Sequence, residues 1–570
     1  MNKLDRAIGL VFPSWAERRA AARAEAARHE AVQNVLSGYG KGYGRHGASQ
    51  SKKSMVMWQT DAGDADVDIH DNLERLRARA RDLHMGSDIV AAAHKGLRTN
   101  IVGTGLRLKP AFDSKFLKLS KKEEERLRDS IYREWSMWAE TTKCDAAGLN
   151  DFYELQSLAF LSTLMSGDVF ALMPMLPRKH SVYDLRINLI EADRCDTPET
   201  KALLNPERIQ SGVEVDDEGM VVAYHFSNRH PGSNRVAVSP QEWVRVEKYG
   251  ELTGRLNVIH MFEAERPGQR RGIPIISPII ESLKQLDQYT EAELMAAVIS
   301  AMYTVFVKSP AEDDDYMHGM EEPETDNQYQ EPIPGTGGNN IKMGRGAIVY
   351  LDPGEDVQFA NPTRPNPDYV GFVNALLRQI AAALELPFEI LTKQFTASYS
   401  ASRGALLEAW KMYKMRRSWL AKSFCQPIYE EWFVEAVTKG RIDAPGIFDD
   451  PAIFHAYTRA EWHGPSQGLL DPTKEVDAAV TRIQNNFSTA ERETAELTGG
   501  SWEQNIEQRA YEKTRLADLG LSGNASVTPQ QPDDGNSEDD SEDDSEDDSD
   551  TEGGEQENAK KNQAERGSHQ

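Results

Sequence analysis

Residues 277–307 read SPIIESLKQLDQYTEAELMAAVISAMYTVFV, and residues 368–386 read DYVGFVNALLRQIAAALEL. Ser277-Pro278 is a favourable N-cap and N1 pair, and Ile279, Leu283, Leu286 and Tyr289 then recur at helical spacing, so one long helix is expected from Ser277 to Val307. In the second stretch Tyr369, Phe372, Val373, Leu376, Leu377, Ile380, Ala381 and Leu384 keep the i, i+3, i+4, i+7 pattern until Leu386-Pro387 stops it. Between the two lies an acidic, Pro/Gly-rich interruption (residues 311–340, AEDDDYMHGMEEPETDNQYQEPIPGTGGNN), then a short strand-like run from Ala347 to Leu351. The polar connection after Pro387 leads into a third helix carrying Leu406, Trp410, Tyr413, Leu420, Phe424 and Ile428, with Pro427 an expected kink. Two long helices around a non-helical insertion describe an elongated subunit with a protruding lobe, not a compact enzyme fold.

Upstream, residues 14–36 are rich in Ala, Arg and Glu and helical in propensity, and a basic Gly-rich linker spans Gly38 to Lys53. A helical pattern from Asn72 to Leu97 runs into a turn and strand at Leu106–Lys109, and residues 120–175 are read as helix. Short strands are expected at Leu185–Ile190, Val221–Phe226, Trp243–Val246 and Val258–Phe262, so this region is α+β. After Asp471-Pro472 a mostly helical segment reaches Leu521, and Ser537-Glu-Asp-Asp then repeats three times in a tail that cannot bury apolar surface.

The chain has 570 residues and a formal net charge of −26. Residues 1–53 carry a net +6 and residues 533–570 a net −13, which leaves −19 on the middle. That sign is wrong for a protein that grips nucleic acid by neutralising phosphates. Cys144, Cys195 and Cys425 are too few and too far apart for a disulfide framework or a Cys-x-x-Cys metal site, which fits a reducing cytoplasm. The N-terminus lacks the pattern of a signal peptide. The longest uncharged apolar run, Leu294–Val307, is too short to cross a bilayer, so a soluble protein without membrane contact is expected.

Catalytic signatures are missing: there is no phosphate loop, no His-Glu-x-x-His, no Gly-x-Ser-x-Gly and no Cys/His ligand spacing. No catalytic residue, metal site or cofactor is therefore assigned, and the chain is not read as an enzyme. Gly42-Tyr-Gly44-Arg-His-Gly47 matches a dinucleotide pattern, but without a preceding strand it is read as linker. His463 in Trp462-His-Gly-Pro is read as part of a structural turn, Asp313-Asp314-Asp315 as a solvated loop, and Trp135, Trp138, Trp410 and Trp419 as packing residues.

Several short runs occur in a distinctive order: Asn100-Ile-Val-Gly-Thr-Gly105, Gly167-Asp-Val-Phe170, Ile190-Glu-Ala-Asp-Arg194, Val222-Ala-Tyr-His-Phe226 and Glu265-Arg-Pro-Gly-Gln-Arg-Arg-Gly-Ile-Pro274. Leu351-Asp-Pro-Gly-Glu355, Ser398-Tyr-Ser-Ala-Ser-Arg403, Trp462-His-Gly-Pro465 and Asp471-Pro472 follow. With the helices around them, these runs resemble the lambda-type tailed-phage portal proteins over about residues 70–521. The family's loop usually reads like Asn-Tyr-Ser-Ser-Ala-Arg; here Ser398 stands in the Asn place and Ala401-Ser402 is reversed.

The resemblance implies a homo-oligomeric ring of about twelve subunits at one capsid vertex of the virion, assembled in the host cytoplasm. Double-stranded DNA would pass through the axial channel in packaging and ejection, and terminase, major capsid or scaffold protein and a tail connector would be partners. It also implies a layout: a basic arm (1–59), an α+β wing (60–276), a stem helix (277–307), a clip (308–367), a second stem helix (368–386) and a channel loop (387–402). A wing helix and connection (403–470), a crown (471–525) and a disordered acidic tail (526–570) complete it. Lys393, Gln394 and Arg403 are then the expected DNA contacts of the loop. The alternative is a DNA-packaging enzyme component, an ATPase or nuclease, which the missing phosphate loop and the absence of a convergent carboxylate set disfavour.

Overall fold

A computed structural model of the protein describes residues 62–521 except 199–207, 234–240, 302–305, 308–348, 351–367, 396–397 and 469–470, with a few positions between 18 and 60. The chain divides into two units, Met1–Trp502 and Glu503–Gln570. Helices α1 (Ala65–Gly86) and α2 (Asp88–Ile101) lead to strand β1 (Arg107–Pro110), and α3 (Lys121–Ala139) and α4 (Phe152–Ser166) lead to β2 (Asp168–Leu172). Strands β3 (Asn188–Glu191), β4 (Ile209–Gln210), β5 (Val213–Val215), β6 (Val221–Ser227), β7 (Trp243–Glu247) and β8 (Val258–Phe262) follow. Then come α5 (Ile280–Ala301), β9 (Phe306–Val307), β10 (Val349–Tyr350), α6 (Tyr369–Ala383), α7 (Phe388–Thr392) and α8 (Tyr399–Leu420). The chain ends its described part with α9 (Gln426–Thr438), α10 (Pro451–Thr458), β11 (Ala460–His463), α11 (Pro472–Gln484), α12 (Ala490–Thr498) and α13 (Trp502–Asp518). The mixed helix-and-sheet class is as expected.

Helix starts follow local chemistry. Ser120 with Glu123 and Asp151 with Glu154 form reciprocal capping boxes at α3 and α4, satisfying backbone donors that no helical carbonyl can reach. The strands form antiparallel sheets β3-β2-β8 and β4-β5-β6-β7, and β1 pairs antiparallel with β11 from Arg107↔His463 to Pro110↔Ala460. Strand β2 serves two cores through its alternation. Val169 and Ala171 join the main helical core, whereas Phe170 packs with Ile190, Cys195, Tyr224 and Phe226 in a smaller one between the sheets. An aromatic cluster anchors the main core, with Trp135 edge-on to Trp432 at 4.9 Å and to Tyr429 at 5.6 Å. Trp135 and Trp138 are buried, and Trp410 and Trp419 pack against the same core. All three cysteines are buried thiols, and among the described residues no helix is long and apolar enough to cross a membrane.

The expected strands at Leu106–Lys109, Val221–Phe226, Trp243–Val246 and Val258–Phe262 match β1, β6, β7 and β8 to within a residue. Other expectations need correction. The helix from Ser277 begins as a 3-10 turn and its α part ends at Ala301; Phe306–Val307 instead pairs in parallel with Val349–Tyr350, as suits an aromatic and β-branched pair. Asp168–Leu172 lies inside the stretch read as helix, because Gly167 at φ +87° ends α4 and reverses the chain. His463 sits in β11, not in a turn. At the expected kink, Pro427, the third helix continues without interruption. A π-helical turn, Ala421–Cys425, widens the helix just before α9, and Pro427 sits in its first turn, where its missing N–H is tolerated.

Gly42–Gly47, Asp313–Asp315, the Ser-Glu-Asp-Asp repeats and residues 308–367 apart from Val349–Tyr350 lie outside the described residues, as does most of the expected arm helix.

One buried ionic node joins three of the short runs. The Asp168 carboxylate, fully buried, accepts from Arg77 at 2.8 Å, from Arg271 Nε at 2.6 Å and from the Gly272 N–H at 3.2 Å. Arg271 spends its other donors on the carbonyls of Ala192 (2.7 Å), Cys195 (2.7 Å) and Ser211 (2.6 Å), and His260 lies 3.3 Å from the same carboxylate. Gly167 and Gly272 pack backbone to backbone, leaving no room for a Cβ on either. Burial alone would raise the Asp168 carboxyl, but Arg271 and Arg77 overcome it and hold it well below the usual carboxylate range.

Asp168→Asn leaves two buried guanidinium groups short of their counter-charge, and a loss of about 3–5 kcal/mol is expected in denaturant unfolding. Because the folded carboxyl lies below its unfolded value, this difference should be constant from pH 7 down to about pH 4 and shrink only as pH falls further. A difference that disappears already near pH 6 would show that the carboxylate is not the source.

Candidate functional site

The site grows from the end of α6. The Leu386 N–H donates to the Ala381 carbonyl at 2.9 Å and the Glu385 N–H to that of Ala382 at 3.1 Å, the paired bonds that close a helix when the next residue turns left-handed. That residue is Glu385, at φ +57°, where glycine is usual. Pro387 then caps α7, and Lys393, also at φ +57°, ends it. Each left-handed side-chain residue costs about 1–2 kcal/mol relative to a right-handed one. A five-residue helix is therefore bracketed by two strained reversals.

Residues 387–402 were expected to be one polar connection. Instead α7 occupies its first part, and α8 already begins at Tyr399, capped by the Ser398 hydroxyl accepting from the Ala401 N–H at 3.5 Å. Arg403 is therefore a helical residue near the start of α8. The apolar spacing of Phe388, Ile390 and Leu391 was a signal for α7, with Leu391 buried against the main core.

Lys393, Gln394 and Arg403 are all exposed. Lys393 and Arg403 face a cleft of about 620 Å³ together with Phe395, Leu407, Trp410 and Arg482; Gln394 does not line it. Two other cations lining it are already committed: Arg482 is paired bidentately with Glu493 at 2.9 and 2.6 Å, and Lys414 meets Glu496 at 3.3 Å. Among the described residues, Lys393 and Arg403 have no carboxylate partner, so their charge faces solvent. Phe395, about half exposed in an otherwise polar turn, was not singled out from the sequence.

Arginines on α8 tie the site to the end of α2 and to the chain just after β8. Arg417 donates to the carbonyls of Asn100 (3.0 Å) and Ile101 (3.2 Å) at the negative end of α2 and lies over the Trp410 ring; burial pulls it down to about 10. Gly464 abuts that guanidinium and Pro465 abuts Gly103, so the runs at 100–105 and 462–465 meet there. Arg416, nearly buried, reaches Glu263 at 3.2 Å and Glu385 at 3.6 Å. Among the described residues no group of three or more His, Cys, Asp or Glu side chains could hold a metal ion. Burial keeps the His463 imidazole below its ordinary value, and its nearest carboxylate is Glu461 at 3.7 Å.

The fold and site thus describe a structural subunit in which two long helices lead to a cation-bearing turn. A family model for phage portal proteins of the lambda family matches residues 51–417, and the chain belongs to that family. It is 24% identical over 497 residues to portal protein B of Escherichia phage lambda, covering 84% of this chain and 91% of that one. It is also 24% identical over 485 residues to the portal protein of Escherichia phage N15, covering 82% and 88%. The probable portal protein of Halomonas phage phiHAP-1 is 26% identical over 428 residues, covering 75% and 77%. Among solved structures, a chain from the neck of an empty gene transfer agent particle aligns at 11% identity with a TM-score of 0.36, covering 79% of this chain and 99% of that one.

Replacing Lys393 by Gly removes the left-handed penalty, so Lys393→Gly should raise stability by about 0.5–1 kcal/mol in denaturant unfolding. A drop of similar size would mean that the lysine side chain makes a stabilising contact worth more than the strain.

Proposed function

We propose that the protein forms a ring of about twelve subunits at one capsid vertex, and that double-stranded DNA enters and leaves through its axis. Membership of the portal family carries this reading. In this layout residues 60–276 make the wing, α5 and α6 the stem, and residues 308–367 the clip that docks terminase and later the tail connector. The turn from Pro387 to Ser402 faces the channel, residues 403–470 return to the wing, residues 471–525 form the crown, and residues 526–570 are an acidic tail. Two observations support the stem assignment. Helices α5 and α6 lie side by side, Tyr289 stacking on Tyr369 at 5.7 Å and meeting Phe372 edge-on at 5.1 Å. Leu294, Met295 and Val298 on α5 and Val370 and Phe372 on α6 remain exposed on the single chain.

The charge follows from the task. A conduit must enclose DNA without holding it, because each phosphate neutralised by Lys or Arg releases counterions and adds affinity that would stall movement. The −19 of residues 54–532 avoids that grip. Lys393 and Arg403, which have no carboxylate partner among the described residues, would touch the passing backbone transiently, with Gln394 beside them as a neutral hydrogen-bonding group. The role is structural: the protein encloses and docks, and nucleotide hydrolysis and strand cleavage belong to partners.

The native mass of the purified chain, with negative-stain images, should show a closed ring with a central hole; a stable monomer at micromolar concentration would sink the proposal. The double substitution Lys393→Ala with Arg403→Ala should leave the ring intact and change the amount of DNA packaged or retained in particles. Unchanged packaging and retention would remove both residues from the account.

A further inference from the structure

The turn that carries Lys393 hangs on one residue that breaks a backbone rule. Glu385 occupies the left-handed position closing α6, with both characteristic hydrogen bonds formed, yet it is not glycine. A side chain kept where its backbone is strained points to work done by that side chain. Its carboxylate reaches Arg416 of α8, and the same guanidinium reaches Glu263, just beyond the end of β8. Arg416 is nearly buried, and its Nε has no hydrogen-bond partner, so the terminal nitrogens alone hold the two carboxylates. Neighbouring Arg417 fixes the same turn of α8 to the end of α2.

We propose that Glu385 and Arg416 form a clamp that sets the direction in which α7 leaves the stem, and hence where Lys393 and Phe395 are presented. Its role in handling DNA rests on the portal reading above; its mechanical part does not. Three elements converge on one guanidinium: the last turn of the stem helix, the wing sheet through Glu263, and the helix that returns to the wing. When the clamp is closed, α7 is pinned at its start by Glu385 and along its length by Leu391 in the main core. When it is open, the backbone dihedral angles at Glu385 and Lys393 no longer hold a single direction, because a left-handed residue without a tertiary contact relaxes toward commoner conformations. Arg416 is a positioning residue in this scheme and touches no DNA itself.

The test uses the full-length assembled protein, with hydrogen–deuterium exchange read separately at residues 388–392 and at β2. Glu385→Gly removes the carboxylate and the backbone strain together, and Glu385→Gln removes the charge alone. Both should raise exchange at residues 388–392 by about tenfold while β2 is unchanged and the ring still forms. Arg416→Lys, which keeps the charge but not the two-pronged reach, should fall between wild type and Glu385→Gln. Unchanged exchange at residues 388–392 in both Glu385 variants overturns the clamp. So does a rise of equal size in β2, since that would be general destabilisation. DNA retention in particles built with Glu385→Gly is the second readout. If loop exchange rises but retention matches wild type there and in the Lys393→Ala, Arg403→Ala protein, the clamp stands and the loop's role in the channel falls.

Discussion

The carboxylate of Asp168 lies where water cannot reach it, and the first helix and both larger sheets are arranged around that fact. A buried charge is tolerated only when its partners and remaining lone pairs are satisfied. Arg77 reaches it from α1, Arg271 from the loop after β8, the Gly272 N–H from the same loop, and His260 from β8 itself. Arg271 uses its forked donors on three carbonyls as well, which a lysine could not reproduce. The contact of Gly167 with Gly272 brings the two backbones close enough for the cluster to close. A first helix, two sheets and the chain leading into α5 are thus held in one register by a single anion.

From that frame the returning helix extends to the loop. Helix α9 uses carboxylates in the same way: Glu435 accepts from the Asp184 and Leu185 N–H groups, and Glu431 from the Leu256 N–H and Arg255. Each satisfies backbone donors at the start of a wing strand or bridge, so the helix is tied to the sheets by hydrogen bonds as well as by the aromatic core. At the other end of this helical stretch, the π-turn at Ala421–Cys425 lets a proline pass without breaking it. Arg416 and Arg417 then sit one after the other on α8, one turned toward the stem and the other toward α2. The exposed cations of the turn are presented by a well-anchored support.

Much of this was legible without coordinates. Short β-branched and aromatic stretches such as Val221–Phe226 and Val258–Phe262 and the period-3.6 stretch from Tyr369 declare themselves, because local composition and the helical repeat each leave a signal along the chain. What escaped was set by neighbours distant in the chain. Strand β2 was hidden because Val169–Leu172 is apolar on both faces and follows a helix whose apolar residues are spread around its circumference, so periodicity could not separate the two. Strand β11 exists because Arg107–Pro110, some 350 residues earlier, offers it an edge. The short runs carried the family resemblance through their order along the chain, but that 167–170, 190–194 and 265–274 meet at one carboxylate was not legible in them. Lys393 and Arg403 were identified from their place near the loop; Phe395, Glu385 and Arg416 were not, since an aromatic in a turn, a glutamate before a proline and one arginine among many carry no local signal.

By itself the sequence determined the class of fold, the approximate positions of the long helices, the acidic balance and the family. Those properties follow from composition, periodicity and short linear runs, which need no knowledge of what folds against what. The tertiary structure alone decided which charges are neutralised inside and which stay free at the surface. Of many arginines, Arg77 and Arg271 are spent on a buried carboxylate, Arg417 on a helix end and Arg482 on Glu493, whereas Arg403 and Lys393 are left facing solvent. The physical reason is that a charge's strength and role depend on its burial and partners, and both are properties of the folded neighbourhood.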